Sequence, residues 1–245
     1  MAKRKRACLF CGNTENLTSE HVFPQWLLDG MGIRKKKMDL SHLTLLGNSI
    51  SERPLTPNTL INGLVCRKCN NEWLSRMEDE IKPYLLPLIK GVPQYPLEEY
   101  HKELSLWAFK TAIILNNASN YRNIVPRRHF RYLYKHRRIP ENVCVLFGIT
   151  ENIVDLNWVQ SQGVMHSGIN NSISEDTRFH DIYKITIQLG PILIKVIYSP
   201  FYEYKYVLDK PSHMMLHPYL AGTGKDFVAA EDLMSFDIEG SMFSR

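Results

Sequence analysis

Two Cys-x-x-Cys pairs, Cys8/Cys11 and Cys66/Cys69, constrain this 245-residue chain more than any other feature. Each pair aims two thiolates at one point, and two such knuckles together make a closed four-thiolate site for structural Zn2+. A site of this kind ties segments on either side of residues 12–65 into one module and supplies much of its folding free energy. Two independent thiol pairs, or redox chemistry at one of them, are the competing readings of the same spacing. The fifth cysteine, Cys144, sits in the apolar run Val143–Phe147, where a thiol behaves as a small hydrophobe.

Five cysteines in a chain of this length do not form a disulfide framework, which points to a reducing compartment. The N-terminal residues are charged and lack the apolar stretch of a secretory leader. No apolar run approaches the roughly 20 residues that span a bilayer. The expectation is a soluble, cytoplasmic protein with no membrane partner. Hydrophobic residues at 44% suffice for a core, and an aromatic share of 11% argues against disorder. A net charge of +5 permits a polyanionic partner without demanding one.

The charge is unevenly placed. Lys3–Arg6, Arg34–Lys37 and Arg127–Arg138 hold a large part of it. The first reads as an N-terminal arm, either a phosphate-binding segment or a solvated tail. The loop Arg34-Lys35-Lys36-Lys37 is placed to reach a phosphate backbone. Arg127–Arg138 mixes basic and aromatic residues, so it is either a nucleic-acid surface or an amphipathic helix with a solvated basic face.

Along the chain, a short strand carries Glu20 and His21, Pro24 ends it, and Gln25–Asp29 makes a helical turn. Residues 39–64 read as irregular, with a short strand or two. After Cys69, Trp73, Leu74, Met77, Ile81, Tyr84 and Leu85 recur at helical steps, with Pro83 and Pro87 expected to kink or end the helix. Gly91–Pro96 reads as a linker. The pattern then predicts helices over Leu97–Asn117 and Pro126–His136, and strands over Val143–Ile149, Trp158–Met165, Tyr183–Leu189 and Ile192–Tyr198. Gly190-Pro191 punctuates the last two as a hairpin. His166, His180, His213 and His217 lack ligand spacing.

Glu20 and His21 follow the first knuckle, and Asn70 adjoins the last cysteine, so a metal that pins both knuckles brings them into one cleft. A neutral histidine is the usual general base near pH 7. Carboxylate and amide oxygens suit a divalent cation such as Mg2+ or Mn2+. Phosphodiester hydrolysis needs that set; a structural histidine and a helix-capping asparagine are the bland alternative.

The order Cys-x-x-Cys, Glu20-His21-Val22-Phe23-Pro24, Cys-x-x-Cys-Asn70 resembles the HNH nuclease family, whose module is a ββα-metal finger. The resemblance covers roughly residues 8–80. It implies His21 as general base, with Glu20 and Asn70 as ligands of a catalytic Mg2+, Mn2+ or Ni2+ and Asn71 as a neighbour able to replace Asn70. The asparagine that orients the histidine in the family falls nearest Asn62, with Asn58 next. The implied function is a metal-dependent endonuclease acting on nucleic acid, double-stranded DNA by resemblance. A non-catalytic zinc scaffold that binds nucleic acid or protein is the alternative. The expected fold is α+β: a zinc-bound ββα-metal module over residues 1–90, then an α+β domain over 97–245 with two helices and an antiparallel sheet. That domain serves recognition, homo-dimerisation or partner binding.

Overall fold

The computed structural model describes residues 6–43, 49–92, 96–118, 123–162, 181–201, 205–206, 208, 210–219, 227–239 and 243–244. Lys3–Lys5 of the basic arm, part of the expected linker, the end of the strand expected to reach Met165, and His166 and His180 lie outside the described residues.

Strand β1 (Leu17–His21) pairs antiparallel with β4 (Ile61–Cys66), and the chain passes from β4 straight into helix. That helix runs through α2 (Arg67–Cys69), a π-helical turn at Asn70–Leu74, and α3 (Ser75–Ile89). The order of this unit is ββα. Between its two strands lie the short helix α1 (Gln25–Gly30) and an antiparallel pair, β2 (Met38–Leu43) with β3 (Ser49–Leu55). The described residues of 39–64 are largely strand, more regular than their mixed sequence indicates.

Pro83 and Pro87 neither end nor divide α3. Each removes one main-chain donor, yet Ile81, Leu85, Leu88 and Ile89 are buried on the core side of the helix. Tertiary packing of that face outweighs the lost hydrogen bonds.

Helix α4 (His101–Ala118) is buried nearly all round, with Leu104, Trp107, Ala112 and Leu115 inside the protein. Helix α5 (Arg127–His136) buries only His129, Phe130 and Leu133. Strands β5 (Val143–Gln162) and β6 (Tyr183–Tyr198) are long antiparallel partners, and β8 (Met214–His217) pairs with the outer edge of β5. A two-residue pair, β7 (Lys205–Tyr206) with β9 (Phe243–Ser244), and the short helix α6 (Leu233–Ile238) complete the described elements.

The expected hairpin at Gly190-Pro191 is a bend inside the continuous strand β6. Val143–Ile149 pairs with Ile192–Tyr198, and Val154–Gln162 pairs with Tyr183–Gly190, with register shifts between the two stretches. Gly190 adopts φ of +58°, and a β-carbon there would meet the Ile89 carbonyl oxygen at 2.9 Å. The bend thus seats the strand against the end of α3.

One hydrophobic core runs through both parts of the chain. Phe10 makes edge contacts with Trp73 of the π turn (5.0 Å) and with Phe130 of α5 (5.5 Å). Trp107, Phe109, Tyr183 and Ile194 belong to the same cluster as Cys66 and Cys69. Described residues on both sides of residues 93–95 thus share this one cluster. A smaller cluster on the opposite sheet face joins Leu146, Leu193, Phe201 and Phe236 under α6. Among the described residues, no helix is long and apolar enough to cross a membrane.

Candidate metal centre and the polar cluster beside it

The four knuckle cysteines converge. The sulfur atoms of Cys8, Cys11, Cys66 and Cys69 all lie within 4.8 Å of one another, and Cys11 and Cys66 approach to 3.5 Å. A zinc–sulfur bond of about 2.3 Å implies a tetrahedral edge of roughly 3.8 Å, so the spacing fits a four-thiolate metal such as zinc. All four are free thiols. Local backbone geometry builds the first knuckle: Gly12, at φ +81°, returns its N–H to the Cys8 carbonyl (3.0 Å), and Cys8 N–H reaches Asn13 (2.7 Å). Leu9 N–H bonds to the Leu64 carbonyl (2.9 Å), which ties this knuckle to β4 and the second one.

The donor set carries the chemistry of a thiolate site. The Cys8 sulfur is held down to about 4, first by the hydrogen bond from Cys69 and further by backbone N–H groups of Cys11, Cys66 and Phe10. Cys69 is pushed up as the other half of that shared proton. Burial pushes the Cys11 thiol up. The buried Trp73 indole nitrogen has no formed hydrogen bond, and its N–H dipole favours the Cys69 thiolate at longer range.

Glu20 and His21 occupy the far end of β1 and point in different directions. A register shift between Thr18 and Glu20 places two β4 residues, Gly63 and Leu64, opposite Ser19, and sets Glu20 against Asn62. Such bulges turn side chains out of simple alternation. Glu20 is 5% exposed and faces the core. Its carboxylate lies 3.9 Å from the ammonium of Lys110 on α4, and that ammonium donates to Glu78 of α3 at 2.8 Å. Lys110 is wholly buried. Burial raises Glu20 to about 7; Lys110 opposes the rise and Glu78 adds to it.

His21 is half-buried, and its Nε2 accepts from the Gln25 side chain at 3.3 Å, which puts the ring proton on Nδ1. Burial, then the nearby Arg34 cation, lowers its pKa, with Glu78 opposing. The ring is therefore neutral at pH 7, the form that accepts a proton. Arg34 is held by Asn58 (3.0 Å) and Asp29 (3.2 Å), so part of the basic loop does stand beside His21. Lys36 of that loop pairs with Asp155.

The asparagines have other work. Asn62 accepts from the Leu64 N–H (2.9 Å), which the bulge leaves free of a ladder partner, and donates to Asn117 of α4 (2.9 Å). Its amide holds the bulge and does not bond to His21. Asn58 likewise serves Arg34. Asn70 donates to the Thr18 hydroxyl (3.2 Å) at the opposite end of β1 from His21, and Asn71 is exposed. The structure thus groups Glu20 and His21 with Glu78 and Lys110. Sequence reasoning missed the latter two. The available signal was a single charge, Lys110, inside the apolar run Trp107–Leu115.

Among the described residues, no other group of three His, Cys, Asp or Glu closes to metal-binding distance. The buried His213 accepts from Lys195 at 2.9 Å, and burial first, then that cation, lowers its pKa to about 3. No family model matches the chain, and no curated protein or solved structure matches it.

Proposed function

We propose that the chain is a phosphodiester hydrolase of the HNH type acting on nucleic acid, with His21 as general base and structural Zn2+ on Cys8, Cys11, Cys66 and Cys69. One observation carries this reading. His21 ends the first strand of a ββα unit whose strands are bound together beside a four-cysteine site, and its half-buried ring is held toward the neutral form. A neutral imidazole there can take a proton from an attacking water on Nε2 once that water replaces the Gln25 amide, and Arg34 beside it offers a charge to the phosphate. Glu20 would hold a divalent cation only by giving up Lys110. The 3.9 Å separation is no hydrogen bond, and Glu78 keeps the ammonium paired if Glu20 turns away. Such a cation, when bound, would stabilise charge on the phosphate and the leaving oxygen. Asn70, the further oxygen ligand that the resemblance implies, is held on Thr18 and would have to leave that contact to join Glu20.

A second reading rests on the same lysine. With an ammonium already beside Glu20, the unit would serve as a zinc scaffold that binds nucleic acid without cutting it. Supercoiled plasmid with Mg2+, Mn2+ or Ni2+ separates the two. Under the nuclease reading the wild type nicks the plasmid and His21→Ala loses about 100-fold or more while retaining its zinc. No cleavage by either protein leaves the scaffold reading, and equal cleavage by both means a contaminant or a different site and removes His21 as the base.

A further inference from the structure

Helix α5 carries a charge pattern that the ββα unit does not explain. Arg127, Arg131 and Lys135 are exposed at four-residue spacing, a row along one side of the helix with steps of about 6 Å. Arg137 and Arg138, also exposed, extend it beyond the helix end. Among the described residues, Arg128 pairs with Asp181 at 3.6 Å, and no ion pair forms to Arg127, Arg131, Lys135, Arg137 or Arg138.

Three features set this apart from an ordinary solvated face. Two arginines occupy the first turn of α5, which holds no acidic residue, although the helix dipole disfavours cations there. At the other end, the Arg137 guanidinium is fixed over the Trp73 ring (4.2 Å) and the Tyr134 ring (4.9 Å). There burial lowers the Arg137 pKa first, the Tyr134 and Cys69 charges oppose it, and Arg76 of α3 is a nearby like charge. The row is therefore joined to the metal unit through Trp73, two residues beyond Asn71, and among the described residues no ion pair neutralises it.

The aromatic residues decide which polyanion. Single strands bind largely by stacking bases on exposed rings. Phe130 is buried, Tyr134 lies under Arg137, and Tyr132 packs against His136 at 4.5 Å. What α5 turns outward is charge, which suits phosphate contact along a duplex.

We infer that the Arg127–Arg131–Lys135 row of α5, extended by Arg137 and Arg138, is a docking surface for the phosphate backbone of duplex DNA. The inference rests on the nucleic-acid reading above but not on catalysis, so binding is measured with His21→Ala protein. Fluorescence anisotropy follows a labelled 20-base-pair duplex across a salt series. Arg131→Glu/Lys135→Glu is expected to weaken binding at least tenfold at 100 mM NaCl and to flatten the log–log salt slope by about 2. Arg131→Gln/Lys135→Gln should give a smaller loss in the same direction, independent of any effect of introduced acid. Lys90→Glu/Lys102→Glu, with the same charge change just past the end of α3 and on α4, should leave the slope nearly unchanged. Equal losses in the two reversal variants, or none in either, would overturn the assignment. Tighter binding of a single strand or of duplex RNA through the same residues would overturn the choice of duplex DNA. Cleavage that ignores His21 would remove the nuclease reading while leaving these binding results intact.

Discussion

The Glu20 carboxylate on β1 and the Lys110 ammonium on α4 face each other 3.9 Å apart inside the protein, one 5% exposed and the other wholly buried. The contact joins the ββα unit to the helix that follows it, and it governs what the Glu20–His21 dyad can do. An ion pair so buried gains less from attraction than it loses in hydration unless its geometry is tight. Glu78 supplies the tight contact, and Glu20 is left as the weaker partner.

Glu20 should make folding stability depend on pH. Its pKa rises from 4.5 to about 7 through burial, so the folded state favours the neutral acid. That contribution is complete below pH 4.5 and is lost as pH rises through 7, at most about 3 kcal/mol. Glu20→Gln stays neutral and keeps it. Denaturant unfolding at pH 5 and pH 8 should show the variant gaining on the wild type as pH rises. A difference that does not change between pH 5 and pH 8 would mean Glu20 is charged throughout.

Removing Lys110 should cost more than removing Glu20. Lys110→Met strands two carboxylates around an apolar side chain, and breaking a buried pair in this way costs about 3–5 kcal/mol. Adding Glu20→Gln should restore part of the loss. A double-mutant cycle on the unfolding midpoints measures the coupling, and strict additivity would show that the two groups do not interact.

The four-cysteine centre should bind one zinc and hold the knuckles together. Metal analysis should give one zinc per chain, lost on chelation together with near-ultraviolet circular dichroism from Trp73 and its neighbours. Cys66→Ser should lose both as well. Full zinc content with unchanged spectra in that variant would rule out a four-thiolate site.

Gly190 should resist replacement. Gly190→Ala combines positive φ with an approach to the Ile89 carbonyl, and a loss of about 1–3 kcal/mol follows. Thermal unfolding reads it directly. Gly12→Ala, with open space around its position, carries only the backbone strain and should cost less.

Local pattern made part of this protein legible. The knuckle spacing located the four-cysteine cluster, the helical period of Trp73–Leu85 located α3, and Glu20-His21 before Pro24 marked the end of a strand. Each depends on residues a few positions apart, so propensity and spacing reveal it. The pattern misled where tertiary packing prevailed. Pro83 and Pro87 sit inside an unbroken helix, and Gly190-Pro191, a turn signal by composition, is a bend in one long strand because α3 packs against it.

The sequence by itself therefore determined the mixed α+β character, the convergence of Cys8, Cys11, Cys66 and Cys69, and the position of His21 beside an acid. Only the tertiary structure decided which groups surround that acid. Glu78 and Lys110 lie far from Glu20 in the chain, and neither has a spacing that announces a partner. The bulge at Gly63 and Leu64 turned Asn62 to its own strand and Asn117, away from the histidine. The physical reason is the same in each case: burial forces a polar group to find whatever partner the fold brings to it, and that partner is set by packing between distant segments.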